Sequence, residues 1–163
     1  MKTQKQTDNK TYFHRVAVNR RARHDFLIED SLEAGIELHG SEVKSLRSQT
    51  VDFADAYARI ENGECRLIGL RLAPYKQARV QLPDPMRTRR LLLNAREIRR
   101  LWSATDREGR TLIPLEIYFR GSWAKVKLGI CVGKKKGDKR SALREAAVKR
   151  EMDRAVKSDR RNR

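Results

Sequence analysis

Apolar and polar residues alternate through much of the first 132 positions, and a period of two predicts strands rather than helices. Over residues 26–38, Leu32, Ala34, Ile36 and Leu38 fall on one side and Ser31, Glu33, Gly35 and Glu37 on the other. That is the pattern of a half-buried strand, with Gly35 at the tight bend of a small barrel. Ala54, Ala56, Ala58 and Ile60 alternate with Asp55, Tyr57, Arg59 and Glu61, and Asn62-Gly63 separates them from a second run over residues 64–72. Asn-Gly between two alternating runs predicts a hairpin, because both turn residues accept positive φ. Over residues 111–119, Ile113, Leu115, Ile117 and Phe119 are expected on one inward face, with Pro114 opposite, at an edge or a bulge. After a turn at Arg120-Gly121-Ser122, Ala124, Val126, Leu128, Ile130 and Val132 point inward, leaving Trp123, Lys125 and Lys127 outside.

Helical spacing is rarer. Gly40–Arg47 predicts a short helix with Ser41 as N-cap, Val43 and Leu46 inward, and Lys44 and Arg47 on a shared side. Asn94 opens a second helix, with Glu97 completing a capping box and Leu93 and Ile98 at the staple positions. Its stripe is Ile98, Leu101 and Trp102; Arg96, Arg99 and Arg100 read as a solvated face. The expected fold is mainly β: a small antiparallel oligonucleotide-binding-like barrel of about six strands, two to three short helices and a basic C-terminal tail. The expected divisions are a flexible arm over residues 1–17, a barrel over 18–132 and the tail over 133–163.

Composition changes the picture through charge. The 163 residues carry a formal net charge of +17, which calls for a polyanionic partner, nucleic acid before an anionic membrane surface. No apolar run approaches a membrane span of about 18 residues, and no secretory signal opens the chain. Cys65 and Cys131 lie inside strand-like runs without metal-ligand spacing and read as reduced core thiols of a cytoplasmic protein. The basic residues cluster. Asn19-Arg20-Arg21-Ala22-Arg23-His24-Asp25 and Arg87-Thr88-Arg89-Arg90 each precede an apolar run, and the first reads as a docked phosphate-contacting segment. Trp123 beside Lys125 and Lys127 would suit a base-stacking platform; a Trp covered by a neighbouring helix is the slightly favoured alternative.

The tail holds thirteen Lys or Arg against five Asp or Glu. Helix propensity is good from Ser141 onward, and Glu145 with Lys149 and Asp153 with Lys157 add favourable i,i+4 pairs worth about 0.2–0.5 kcal/mol each. Val148, Met152, Ala155 and Val156 cluster on one side, but Leu143 points away. Such a helix is marginal alone, so the tail is expected to be disordered when free and helical against an anionic partner.

Catalytic chemistry is not indicated. Gly129-Ile130-Cys131-Val132-Gly133-Lys134-Lys135 has the wrong spacing for a phosphate loop and no Ser or Thr for magnesium. His14, His24 and His39 show no metal spacing, and no nucleophile–base set stands out. The chain reads as a binder without cofactor or metal.

Four blocks in order, residues 19–25, 40–47, 84–93 and Gly133-Lys134-Lys135 with Asp138-Lys139-Arg140, resemble the SsrA-binding protein (small protein B, SmpB) family from about Val18 to Arg154. The resemblance implies a factor that binds transfer-messenger RNA (tmRNA, SsrA RNA) near the elbow of its tRNA-like half and delivers it to stalled ribosomes for trans-translation. It implies RNA contact through Asn19, Glu33, Leu91, Leu92 and Leu93, beside the basic residues Arg20, Arg21, Arg23, Lys44 and Arg47; the basic clusters and the outer sheet face add His24, Arg87, Arg89, Arg90, Lys125 and Lys127 as candidate RNA contacts. It implies a tail block of Gly133, Lys134, Lys135, Lys136, Asp138, Lys139 and Arg140 that enters the empty decoding site and message channel, meeting 16S rRNA. Elongation factor Tu and alanyl-charged tmRNA would join one complex with a monomer of this chain. Two departures stand out: Gly137 replaces the usual aromatic or His before Asp-Lys-Arg, and Gln49 and Asp52 replace a frequent Gly and Asn. The rival reading is a ribosomal or ribosome-assembly protein whose charge neutralises rRNA.

Overall fold

The computed structural model describes residues 13–48, 51–74, 82–135, 147–148, 150–152 and 154. In chain order the elements are β1 (Phe13–Val18), α1 (Arg20–Asp25), β2 (Phe26–Ile36), α2 (Gly40–Arg47), β3 (Val51–Asp52), β4 (Tyr57–Glu61), β5 (Glu64–Ile68), β6 (Arg71–Leu72), β7 (Arg89–Leu92), α3 (Ala95–Asp106), β8 (Thr111–Arg120) and β9 (Trp123–Gly133). Strands β8, β4, β5, β7, β2 and β9 pair in that order, and β9 pairs back onto β8. The antiparallel sheet therefore closes into a six-stranded barrel, which leaves those strands no free edge. One edge of β8 is shared, with β4 paired at Leu112 and β1 along residues 116–120. β3 and β6 form a small separate ladder.

The barrel interior is filled by Ala34, Ile36, Leu67, Leu91, Leu112, Ile117, Phe119, Val126, Leu128 and Ile130, with Leu46 of α2 and Leu101 of α3 joining them. Asn62 and Gly63, at φ 51° and 75°, make the expected β4–β5 turn. The expected cap of α3 is present: Asn94 Oδ1 accepts from the Glu97 N–H at 3.0 Å, and the Asn94 N–H donates to Glu97 Oε2 at 2.9 Å.

Several expectations need correction. Residues 13–17, assigned to a flexible arm, belong to β1, whose Val16 is buried in the core. Strand β4 starts at Tyr57 rather than Ala54, because Asp52 Oδ1 takes the Ala54 N–H and the Ala56 N–H bonds to Phe53 O, forming a turn. His39, not Ser41, caps α2. On β8, residues 113–119 do not share one face. A bulge between Pro114 and Glu116 shifts the phase, so Ile117 and Phe119 enter the barrel while Ile113 and Leu115 form an outer cluster with Ala22 and Cys131. Pro114 was expected at an edge or a bulge, and it flanks a bulge; the consequence for the residues on either side was not anticipated. Strand β9 continues through Gly133, so the barrel ends one residue later than expected.

Candidate nucleic-acid interface

The outer cluster exists because α1 lies on the outer surface of β8 and β9. Asn19 fastens it there. Its Oδ1 accepts from the Ala22 N–H at 3.0 Å, its Nδ2 donates to Pro114 O at 2.9 Å, and its backbone N–H donates to Leu115 O at 2.8 Å. Both carbonyls belong to the β8 bulge, so the bulge is the socket for the helix. With Asn19 only 8% exposed, its amide is committed to holding α1 and positioning the residues that α1 carries. Those residues, Arg20, Arg21, Arg23 and His24, are all exposed. Arg21 Nε lies 3.1 Å from Asp25 Oδ2 and His24 Nδ1 lies 3.0 Å from Asp25 Oδ1, which orders two side chains without covering them.

Beyond α1 the same outer surface carries cross-strand rows. Register places Glu33 beside Lys127 and Lys127 beside Glu116; Gly35 lies beside Lys125 and Lys125 beside Tyr118. Tyr118 Oη donates to Glu33 Oε2, while Arg120 Nη1 and Lys125 Nζ each lie 3.5 Å from Glu33 Oε1. The tyrosine hydrogen bond lowers the Glu33 pKa most, and Lys125 and Arg120 reinforce it against burial. Burial first, then Glu33, raises the Tyr118 pKa, which keeps its phenol a donor. A fixed carboxylate in a basic field can accept from a base amino group while the cations hold phosphates. Leu92, 49% exposed, joins this face at Gly35, where an added Cβ would lie 3.1 Å from Leu92 Cβ.

The structure also brings in residues the sequence reading left out. Phe13 packs against Tyr118 with the rings tilted by 40° and their centroids 4.9 Å apart, and Arg15 Nε lies 3.1 Å from Glu116. Trp123 is 75% exposed, so the covering helix favoured above is absent among the described residues and the stacking alternative fits. Outer-face parity on β8 would have flagged Tyr118 and Arg120. Phe13 and Arg15 gave no signal, because their strand was read as a polar arm.

Other expected contacts belong to the fold. Arg89 is 0% exposed: Nε donates to Glu42 Oε1 at 2.9 Å, Nη1 to Leu70 O at 2.6 Å and Nη2 to Pro85 O at 3.0 Å. Arg87 donates to Glu42 through Nε at 3.0 Å and Nη2 at 2.6 Å. Burial pushes Glu42 up, but the Arg87 hydrogen bond, the His39 N–H and Arg89 outweigh it, leaving the carboxyl below its ordinary value. Burial lowers Arg89 and Glu42 opposes that shift; an arginine stays cationic regardless. These contacts tie α2 to the start of β7 and the segment before it, and they seal Arg89, expected at the nucleic-acid surface, inside the fold. Leu91 is likewise core and Leu93 half-buried. Arg90 is exposed between Glu37 and Glu64, each at 3.1 Å. Lys44 and Arg47 are exposed on α2, with Arg47 Cζ 5.7 Å from the Phe119 ring centroid.

At the tail root, the Lys134 N–H donates to Asp25 O at 3.0 Å and Lys134 Nζ donates to Arg23 O at 2.9 Å. Lys134 thus clamps the end of β9 to the last turn of α1 through both its backbone and its side chain. Lys135 is exposed. Lys136, Gly137, Asp138, Lys139 and Arg140 lie outside the described residues. Ala147, Val148, Arg150, Glu151, Met152 and Arg154 are helical, with Val148 and Met152 exposed.

Among the described residues, no group of three or more His, Cys, Asp or Glu could hold a metal ion, and no helix is long and apolar enough to cross a membrane. The family model described as SmpB protein matches residues 16–158. The chain belongs to the SmpB family. SmpB-family relatives named SsrA-binding protein include one from Clostridium beijerinckii, 49% identical over 87% of this chain and 91% of its own length. Another, from Clostridium perfringens, is 46% identical over 94% and 96%. A solved structure described as "tmRNA-SmpB: a journey to the center of the bacterial ribosome" superposes with a TM-score of 0.64 at 47% identity, covering 78% of this chain and 94% of the other.

Proposed function

We propose that this SmpB-family chain binds tmRNA through the outer face of its barrel and delivers it to stalled ribosomes for trans-translation. The observation that carries this reading is the continuity of one surface. The exposed cations of α1, the Glu33–Tyr118–Lys125 network and the exposed Trp123 all lie on the outside of β2, β9 and β8. Cations on such a face supply salt-dependent affinity, and the fixed carboxylate and aromatics supply discrimination. The relatives are named for binding SsrA RNA, and the superposed structure is described with tmRNA and the ribosome.

In this reading Lys135 and the residues after it enter the vacant decoding site and message channel, and Lys134 sets the direction in which they leave. The protein works as a monomer in the cytoplasm, in one complex with alanyl-charged tmRNA and elongation factor Tu, and performs no catalysis itself. RNA copurifying with the protein from its own cells tests the reading. A dominant tmRNA supports it, whereas bulk rRNA would favour the ribosomal-component alternative.

A further inference from the structure

Between α1 and the Glu33 row, the outer face holds an open groove of about 360 Å³. It is lined by Phe26, Ile28 and Leu115, which pack together in the outer cluster, and by Arg23, Lys127, Lys134 and Ser31. No carboxylate lines it. The groove on the other flank of α1, about 390 Å³, carries Asp25 and Asp55 against Arg21 as its one cation, and Arg21 is already paired with Asp25 at 3.1 Å. Leu27 at the edge of the first groove is 55% exposed. An apolar lining beside three cations is a poor match for a fully solvated surface and a good one for a planar, apolar-faced group that carries its own phosphate.

We propose that this groove receives one unpaired RNA base, its faces against Phe26, Ile28 and Leu115 and its flanking phosphates on Arg23, Lys127 and Lys134. The inference rests on the RNA-binding reading above and adds a site to it. An extruded base leaves its stack to reach the groove, so the occupant comes from a loop or bulge, where unstacking costs least. Lys134 donates one N–H to Arg23 O, and its remaining donors can face a phosphate. The base would thereby sit against the residue that clamps the tail root.

Ser31 sits on β2 with its side on the outer face, and Ser31→Phe fills the groove without altering charge. The expected result is an affinity for the tRNA-like fragment of tmRNA lower by about tenfold, with an unchanged slope of log K against log salt. Lys127→Met should instead reduce that slope by about one. Ser31→Leu, a smaller plug, gives an intermediate loss, and thermal melts confirm that both variants fold. Independently of any variant, abasic substitution through the loops of the RNA should find one position that loses the same factor with wild type and nothing further with Ser31→Phe. An affinity within twofold of wild type for Ser31→Phe, or an abasic scan without such a position, overturns the groove while leaving RNA binding standing. Wild-type protein that ignores the RNA overturns the RNA-binding reading itself.

Discussion

Glu42→Ala removes a carboxylate that accepts hydrogen bonds from Arg87, Arg89 and the His39 backbone at once. Its loss strands the guanidinium of Arg89, which is 0% exposed, beside carbonyl oxygens alone. Breaking a buried pair by deleting one partner costs about 3–5 kcal/mol, because the remaining charge stays desolvated. For a folded unit of this size each kcal/mol moves the midpoint by roughly 3 °C, so Glu42→Ala should melt about 10–15 °C below wild type. The double variant Glu42→Leu/Arg89→Met should recover much of that loss, since it removes the stranded charge along with its partner. A pH series adds a signed check. The folded pKa of Glu42 lies below its ordinary value of 4.5, so its contribution is complete above that value and fades as pH falls through the folded pKa. Glu42→Gln should therefore lose less stability than wild type on acidification from pH 5 to 3. Calorimetry reads both, and a Glu42→Ala midpoint within 3 °C of wild type would refute a dry, obligatory pairing of Glu42 with Arg89.

Three further outcomes follow from the geometry. Asn19→Ala should lose about 1–2 kcal/mol, the usual penalty for a deleted N-cap, and raise hydrogen exchange across α1 while leaving β4 and β5 unchanged; uniform exchange would contradict a local socket. Burial pushes the Cys65 and Cys131 thiols up to about 12 and about 11, so neither should react with a thiol reagent at pH 8 until the protein unfolds; rapid labelling of folded protein would refute their inertness. Lys134→Met should broaden the body-to-tail distance distribution in free protein, measured between spin labels, with Lys134→Arg narrowing it again. An unchanged distribution would assign Lys134 to RNA contact alone.

Much of the architecture is legible from local pattern. The β4–β5 hairpin follows from Asn62-Gly63, the α3 start from Asn94 and Glu97, and β2 and β9 from alternation. What escapes is whatever depends on distant chain segments meeting. Helix α1 has six residues and only Ala22 as an inward side chain, so it carries no helical stripe; the β8 bulge 95 residues away holds it. Arg89 and Arg90 are adjacent and chemically identical, yet one is sealed against Glu42 and the other lies exposed. Strand parity separates them only once the register of β7 is known, and Arg87 and Arg89 find Glu42 only through the fold. For the same reason the interface was half legible. Glu33, Lys125 and Lys127 were placed on the outer face, and the inward reading of Ile117 and Phe119 puts Tyr118 there too; that its hydroxyl fixes Glu33 depends on β8 and β2 meeting across β9.

The central claim is that the barrel holds the RNA and the chain beyond the Lys134 clamp acts on the ribosome. Stopping the chain after Lys135, so that both Lys134 hydrogen bonds to α1 survive, separates the two. The predicted result is an affinity for the tRNA-like half of tmRNA within about twofold of full length, together with loss of peptide tagging on stalled ribosomes. RNA affinity that collapses with the tail, or tagging that persists without it, would contradict the account.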